Sequence, residues 1–197
     1  MGGDRRVVLV GPMAVGKSAV GRMLARRTGT RFVDTDRVIV ERHGSIPAIF
    51  ARGGEGVFRD LEADVVGEAL TGDGVVVSLG GGAVLHPGTR ALLADAVVVF
   101  LDTDLATVLP RIGADSGRPL LAGRPAERWQ ELYDARRPVY AAVATFVVDT
   151  RGLTVREATE AVLRALDGNA PPDPPTDAHD TLTHTPDDES GTNPHGD

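Results

Sequence analysis

Cysteine is absent from the 197-residue chain, which excludes disulfides and thiolate metal sites. Long hydrophobic runs are also missing near the N-terminus, where residues 7–10 are too few for a signal-peptide core or a membrane span. Aromatic residues are scarce, with one Trp, two Tyr and five Phe, and they suggest no surface patch for a partner. We therefore expect a cytoplasmic monomer that does not bind a membrane.

Basic residues are missing from the C-terminal segment, residues 168–197, which contains six Asp, one Glu and many prolines. This segment carries the whole net charge of −7, so residues 1–167 are electrically neutral, and we expect no nucleic-acid partner. Its low content of large apolar residues predicts a disordered acidic tail. Three histidines there (His179, His184 and His195) leave a metal-binding tail as the alternative. The predicted domain is residues 1–167.

Lysine is nearly absent as well, because Lys17 is the only one beside 20 arginines. It should therefore occupy a position where arginine cannot serve. Lys17 lies in GPMAVGKS, residues 11–18, which matches the phosphate-loop pattern G-x-x-x-x-G-K-S. In this pattern the glycines let backbone N–H groups surround a phosphate. The lysine reaches the β- and γ-phosphates, and the serine hydroxyl, here that of Ser18, binds Mg²⁺.

Apolar runs typical of buried strands alternate with helical patterns along the chain. This alternation predicts an α/β fold with a five-stranded parallel sheet covered by helices on both faces. Ligands of such sheets bind at the carboxyl ends of the strands. The predicted strands are residues 5–10, 31–34, 74–79, 96–102 and 145–150, and two of the predicted helices are residues 37–52 and 55–70, separated at RGGEG.

Two carboxylates, Asp34 and Asp36, follow the second predicted strand in the motif DTD. One interpretation makes Asp36 the N-cap of a helix that begins at Arg37. Beside a phosphate loop a chemical interpretation gains weight. One carboxylate would then hold Mg²⁺ or its waters, and the other would orient or deprotonate an attacking hydroxyl.

Three consecutive glycines, Gly80, Gly81 and Gly82, follow the third predicted strand. No lysine is near them in sequence, so a second phosphate loop is excluded. Their bare backbone could let a small substrate approach and could offer N–H groups to an anion such as a carboxylate. The alternative is that they only allow close packing of neighbouring elements.

Two further features follow the fourth predicted strand. Asp102 is interpreted as a helix N-cap. The irregular segment 113–127 contains Arg118 and Arg124 and predicts a mobile lid that brings positive charge onto a transferring phosphoryl group. A solvated loop is the alternative.

With these residues assembled, the chain resembles the shikimate kinases, small P-loop kinases of the nucleoside-monophosphate-kinase type, from about Arg5 to Leu166. Six motifs in order carry the resemblance: GPMAVGKS, DTD, GEGVFR, SLGGGAV, RPLLAG and ARRPVY. The resemblance implies a three-layer P-loop kinase fold with a mobile lid. It also implies Mg²⁺-dependent transfer of the γ-phosphoryl group of ATP to the 3-hydroxyl of shikimate, a step of aromatic amino-acid biosynthesis.

The resemblance further implies roles for individual residues. The ATP-binding set is Gly11, Ala14, Val15, Gly16, Lys17, Ser18, Ala19, Arg111 and Arg118, with Arg111 against adenine and Arg118 on the phosphates. The substrate-binding set is Asp36, Arg59, Gly80, Gly81, Gly82 and Arg136, with the two arginines on the substrate carboxylate. Ser18 ligates Mg²⁺, and Asp34 supports it through water. Lys17, Asp36 and Arg118 are the expected catalytic residues, and Asp36 is either a general base or only an orienting group.

Two departures from the family pattern bear on these roles. Ala19 stands where the family usually has Thr, although Ser18 alone can ligate the metal. Arg137 lies beside Arg136, so the sequence leaves open which of the two faces the substrate.

Two other functions remain compatible with the sequence. Another small P-loop kinase, such as a gluconate kinase, would also need a hydroxyl acceptor with an anionic group, but the glycine triplet and RPLLAG favour shikimate. A nucleotide-binding regulatory protein would need Asp36 to be only a helix cap and the lid arginine to be idle.

Overall fold

The computed structural model describes residues 5–112 and 123–168. Its centre is a five-stranded parallel sheet, as the sequence predicts, and the strand order is β2-β3-β1-β4-β5. The strands are β1 (Arg6–Val10), β2 (Arg31–Asp34), β3 (Val75–Ser78), β4 (Val97–Asp102) and β5 (Phe146–Asp149). Because all five run in the same direction, their carboxyl ends meet at one edge of the sheet.

Seven α-helices cover the sheet in the described part of the chain. They are α1 (Lys17–Thr28), α2 (Thr35–His43), α3 (Ile46–Ala69), α4 (Pro87–Leu92), α5 (Leu105–Ile112), α6 (Pro125–Val143) and α7 (Val155–Leu166). A short 3-10 helix, Ala83–Leu85, follows the glycine triplet. The first strand shows why both faces are covered, since its consecutive side chains point to opposite faces. Val7 and Leu9 pack with α1 and α7, whereas Val8 and Val10 pack with α3 and α6. The expected three-layer arrangement is confirmed.

The helix boundaries after β2 differ from the prediction. Helix α2 begins at Thr35 and ends at His43, and α3 begins at Ile46, so the first interruption lies earlier than RGGEG. A second irregularity does fall inside RGGEG, where Gly54 has φ 72° within α3. Because Gly54 is non-helical, two helical segments meet there at a kink within α3, and the predicted break at RGGEG is confirmed.

Asp102 is not the helix N-cap that the sequence suggests. Its carboxylate accepts hydrogen bonds from the Tyr133 hydroxyl at 2.6 Å and from Arg137 at 3.1 Å. The residue that caps the following turn is Asp104, whose carboxylate accepts a bond from the Thr107 backbone N–H at 2.9 Å. The Asp102 carboxylate therefore binds Tyr133 and Arg137 of α6 and does not cap a helix.

Among residues 5–112 and 123–168 we find no helix with the length and apolar character needed to cross a bilayer. Most of the predicted lid and all but the first residue of the predicted tail lie outside the described residues.

Candidate active site at the carboxyl ends of the strands

A cavity of about 480 Å³ opens at the carboxyl edge of the sheet, where sequence reasoning placed the ligand. It is bordered by the phosphate loop, by the DTD motif and by the residues that follow β3. The predicted site residues that line it are Ala14, Gly16, Lys17, Ser18, Ala19, Asp34, Asp36, Gly81 and Arg111. The cavity therefore joins the predicted nucleotide residues to two of the predicted substrate-binding residues, Asp36 and Gly81.

The phosphate loop adopts a conformation that depends on glycine at two positions. Gly11 has φ 139°, and Gly16, which precedes α1, has φ 105°. A Cβ atom on Gly11 would lie 2.5 Å from the Leu101 carbonyl oxygen, so no side chain fits there. Ala14 also has a positive φ, 66°, the only such non-glycine residue in the part of the chain that the structure describes. A strained residue in this loop is consistent with a backbone arranged to meet a ligand.

Lys17 begins α1, and its side chain is nearly buried. The ammonium donates hydrogen bonds to the carbonyl oxygens of Gly11 at 2.9 Å and Pro12 at 2.8 Å. These bonds hold the charge over the loop, where a phosphate would meet it together with the N-terminal end of α1. The compact ammonium suits this enclosed position better than a planar guanidinium would.

The DTD motif has a different role for each of its residues. Asp34 caps α2 by accepting a bond from the Arg37 backbone N–H at 3.3 Å, so the cap is Asp34 and not Asp36. Thr35 is fully buried, and its hydroxyl donates to the Ser78 carbonyl and accepts from the Gly80 N–H, both at 3.2 Å. Asp36 lies in the first turn of α2 and lines the cavity. The chemical interpretation of Asp36 is therefore the one that the geometry favours.

Each glycine of the triplet makes room for a different neighbour. A Cβ atom on Gly80 would lie under 3.0 Å from carboxylate oxygens of both Glu62 and Asp36. One on Gly82 would lie under 3.0 Å from the Arg59 guanidinium, whereas one on Gly81 would meet only ordinary contacts, beginning with Met13 N at 3.4 Å. The packing interpretation and the substrate interpretation are thus compatible, because two of the three groups admitted by the glycines, Asp36 and Arg59, are predicted substrate-binding side chains.

The N–H groups of the triplet do not all face the cavity. The N–H of Gly80 is already bonded to Thr35, so it is engaged inside the protein. The carbonyl of Gly81 accepts hydrogen bonds from Arg136 at 3.3 Å and from the Tyr140 hydroxyl. The backbone at the triplet is consequently held in place by side chains from α2 and α6.

Arg59 and Glu62 form a buried ion pair one turn apart on α3, with Arg59 Nη1 2.5 Å from Glu62 Oε2. A second carboxylate, Glu55, accepts from Arg59 Nη2 at 3.0 Å. Burial raises the pKa of Glu62 to about 7, against the opposing effect of the Arg59 charge, and the nearby Asp36 carboxylate adds to the rise. The other oxygen, Glu62 Oε1, is buried and has no hydrogen-bond partner among the described residues.

Arg136 and Arg137, which the sequence could not separate, have different surroundings. The Arg136 side chain is buried and reaches Gly81. The Arg137 side chain is about half exposed and pairs with Asp102 and the Tyr133 hydroxyl. Arg136 is therefore the one that the structure brings to the glycine triplet.

Three further predicted ATP-binding residues are Arg111, Val15 and Arg118. Arg111 Nη1 donates to the Ala14 carbonyl at 3.1 Å and lines the cavity, beside the phosphate loop. The Val15 side chain is buried in the core, so only its backbone could serve a nucleotide. Arg118 lies outside the described residues.

The oxygen atoms that the protein offers at the cavity suit a magnesium ion that takes most of its ligands from phosphates and water. Ser18, Asp34 and Asp36 line the same cavity and offer oxygen atoms, which Mg²⁺ prefers. No group of three or more carboxylate or imidazole side chains suited to a metal occurs within residues 5–112 and 123–168. Such a sparse set suits an ion bound mainly by phosphates and water.

Sequence reasoning missed several residues that shape the site. Glu62 could have been found from its position three residues after Arg59 in the predicted helix, a spacing that permits an ion pair. Thr35 was not predicted, because only its two neighbours, Asp34 and Asp36, carry the carboxylates that suggest metal or proton chemistry. Trp129 and Tyr140 contact the site from α6, and no local pattern marks them.

Comparisons with known proteins agree with this geometry. The family model described as "Shikimate kinase" matches residues 13–167. A shikimate kinase of Streptomyces coelicolor is 49% identical over 162 residues, which cover 82% of this chain and 95% of that protein. One of Halorhodospira halophila is 47% identical, with 83% and 94% covered.

Solved structures show the same likeness. The shikimate kinase from Acinetobacter baumannii in complex with shikimate has a TM-score of 0.80 and 34% identity, covering 84% of this chain and 94% of that one. A gluconokinase from Sinorhizobium meliloti has a TM-score of 0.60 at 20% identity, covering 85% and 94%, which shows the fold alone.

Proposed function

The chain belongs to the shikimate kinase family, and on that premise we propose how its residues divide the work of phosphoryl transfer. The enzyme transfers a phosphoryl group from ATP to the 3-hydroxyl of shikimate, in the pathway to aromatic amino acids, and it uses Mg²⁺. Because phosphoryl transfer needs mainly positioning and charge stabilisation, the question is which side chains supply them.

The donor side is formed by the phosphate loop and α1. The backbone of Gly11–Gly16 surrounds the phosphates, and the Lys17 ammonium neutralises charge on the β- and γ-phosphates. Ser18 and Asp34 would hold Mg²⁺, Asp34 through water, and the ion supplies further charge neutralisation when it is bound. Arg111 bonds to the Ala14 carbonyl of the loop, and we propose that it lies against the adenine.

The acceptor side is formed by Arg59, Arg136 and the glycine triplet. Two guanidinium groups converge there, since Arg59 lies against Gly82 and Arg136 bonds to Gly81. A guanidinium binds a carboxylate through two parallel N–H···O bonds, so this pair would hold the carboxylate of shikimate. Fixing that end of the ring leaves its hydroxyl groups directed toward the middle of the cavity.

Asp36 stands between the two sides and is proposed to hold the reacting hydroxyl. It lines the same cavity as Lys17 and lies beside Gly80. A carboxylate in this place accepts the hydroxyl proton's hydrogen bond and orients the oxygen toward the γ-phosphoryl group. Whether it also removes the proton depends on its basicity in the complex with both substrates.

We also propose, from the sequence, a role for Arg118, the domain bounds, the oligomeric state and location, and the absence of two kinds of partner. Arg118 brings positive charge from the segment 113–127 onto the phosphates. Residues 1–167 form the kinase domain, and residues 168–197 form an acidic tail outside it. The protein acts as a monomer, in the cytoplasm. It binds neither nucleic acid nor a membrane.

One observation carries the residue assignment: a buried Arg136 reaches the glycine triplet while its neighbour Arg137 pairs with Asp102. We expect Arg136→Ala to raise the KM for shikimate at least about thirtyfold, because a charge-assisted carboxylate bond is lost, and to change the KM for ATP little. Arg137→Ala is the matched control and should leave both constants near wild type. Equal effects of the two variants would contradict the assignment.

A further inference from the structure

One face of α6 contacts both halves of the active site. Trp129, Tyr133, Arg136 and Tyr140 are four, three and four residues apart, a spacing that places them in one row along a helix. With Pro12 and Met13 of the phosphate loop, these four side chains surround a single small cavity. The row therefore extends from the nucleotide loop toward the substrate loop.

At the first end of the row, Trp129 holds the phosphate loop. Its indole N–H donates to the Met13 carbonyl at 3.0 Å, and its side chain is 1% exposed. The ring stacks on Tyr133, with centroids 5.0 Å apart and planes 10° from parallel. The next peptide of the loop, that of the strained Ala14, is bonded by Arg111 from α5. Two helices therefore hold adjacent carbonyl groups of the loop.

At the other end of the row, Tyr140 holds the glycine triplet. Its hydroxyl donates to the Gly81 carbonyl, and its side chain is 1% exposed against Phe100 of β4, with ring centroids 5.2 Å apart. Burial raises the pKa of Tyr140 to about 12, so the hydroxyl stays protonated and remains a donor at neutral pH. Arg136, one turn earlier, bonds to the same carbonyl.

The two loops also lie next to each other, and Met13 and Gly81 line the same cavity. A Cβ atom on Gly81 would lie 3.4 Å from the Met13 nitrogen and 3.6 Å from the Gly11 carbonyl oxygen. The loop that binds the donor phosphate and the loop that binds the acceptor thus form one layer, and α6 is bonded to both of its parts.

We propose that Trp129 and Tyr140 are positioning residues that set the distance between the phosphate loop and the glycine triplet, and so between the γ-phosphoryl group and the acceptor hydroxyl. Neither side chain needs to touch a substrate for this role. The inference rests on the proposed assignment of the two loops. Because reacting atoms must meet at a defined separation, an error of about 1 Å between the loops can lower the rate up to about a hundredfold.

The test uses variants that remove one hydrogen bond and keep an aromatic ring. Trp129→Phe removes the indole donor, and Tyr140→Phe removes the hydroxyl. Tyr133→Phe is the matched control, since it removes the bond to Asp102 from the same helix face but frees neither loop. For each protein we measure kcat with saturating ATP and shikimate, the ratio of ADP released to shikimate 3-phosphate formed, and the melting temperature.

We expect kcat to fall about tenfold in Trp129→Phe and in Tyr140→Phe, with ADP released in excess of phosphorylated shikimate, because a misplaced acceptor lets water compete. The control should keep wild-type turnover and a ratio of one. A fall in kcat that merely follows the loss of folded protein, with the ratio unchanged, would overturn the proposal. Wild-type protein without any turnover on shikimate would instead contradict the proposed function.

A second measurement needs no turnover. Trp129 is the only tryptophan, so its emission reports on the phosphate loop. Adding shikimate alone should shift that emission in the wild type, and Tyr140→Phe should reduce the shift at least about threefold at saturating shikimate, because its link from the triplet to α6 is cut. No shift in the wild type, or an equal shift in the variant, would overturn the proposal.

Discussion

Arg59 Nη1 lies 2.5 Å from Glu62 Oε2, and this buried ion pair lies beside the glycine triplet, with Glu62 next to Gly80 and Arg59 next to Gly82. Glu62 is fully buried and Arg59 is 9% exposed. The pair fixes the guanidinium on α3 in the direction of the glycine triplet. A substrate carboxylate would therefore meet an arginine that is already oriented, which lowers the entropic cost of binding.

We predict that Arg59→Ala weakens shikimate binding far more than ATP binding. The KM for shikimate should rise at least about thirtyfold and that for ATP less than about threefold, because only the acceptor side loses a charged partner. Steady-state kinetics with each substrate varied in turn measures the two effects. Arg42→Ala, which breaks the exposed pair with Glu68, is the control. Equal losses for the two substrates would mean that Arg59 is structural.

The same pair predicts a pH dependence of stability. Burial raises the pKa of Glu62 from 4.5 to about 7, so the folded protein holds this proton more tightly than the unfolded chain does. The resulting stabilisation is complete below about pH 4.5 and is lost as the pH rises through about 7. From pH 5 to about pH 8, the free energy of unfolding of the wild type should fall relative to that of Glu62→Gln.

Denaturant unfolding at several pH values measures this difference. Glu68→Gln, which removes an exposed carboxylate from the same helix, is the matched control. Parallel curves for the wild type and Glu62→Gln would show that Glu62 does not titrate in this range.

The three positions of the glycine triplet should differ in how well they tolerate a methyl group. A methyl group at Gly80 or Gly82 would overlap the side chains of Asp36, Glu62 or Arg59, whereas one at Gly81 would make ordinary contacts. We expect Gly80→Ala and Gly82→Ala to raise the KM for shikimate more than about tenfold, and Gly81→Ala less than about threefold. Kinetics and melting temperatures of the three variants provide the comparison. A larger effect at Gly81 than at its neighbours would contradict the contacts described.

The acidic tail should be dispensable for catalysis. Removing residues 168–197 deletes an acidic segment that is poor in large apolar residues and that we place outside the kinase domain. The truncated enzyme should keep kcat and both KM values within about twofold of the full chain. A loss of more than about tenfold would show that the tail takes part in the reaction.

The sequence predicted the sheet well, because buried parallel strands leave apolar runs and the phosphate loop marks the first of them. The break at RGGEG was also predicted, since Gly54 is non-helical there, whereas the end of α2 at His43 was not. The helical segment after Gly54 is stabilised by packing of Phe58 and Val65 into the core, which no local pattern reveals.

In the site, the residues that belong to sequence motifs could be predicted. The residues that hold those motifs in place from distant parts of the chain could not. Lys17 and Asp36 follow strands, so the topology alone brings them to one edge. Trp129 contacts Met13, and Tyr140 contacts Gly81, across 116 and 59 residues of chain. Such contacts depend on how α6 lies across the sheet, and helix position is a tertiary property. Glu62 is intermediate, because its partner is local but its burial is not.

Acceptor specificity tests the central claim most directly. Purified protein is given ATP, Mg²⁺ and one of three acceptors (shikimate, gluconate or AMP), and ADP release is followed in a coupled assay with the phosphorylated product identified. The account predicts rapid ADP release with shikimate, phosphorylation at its 3-hydroxyl, and no more than background release with the other two. Turnover with gluconate or AMP but not with shikimate would contradict it.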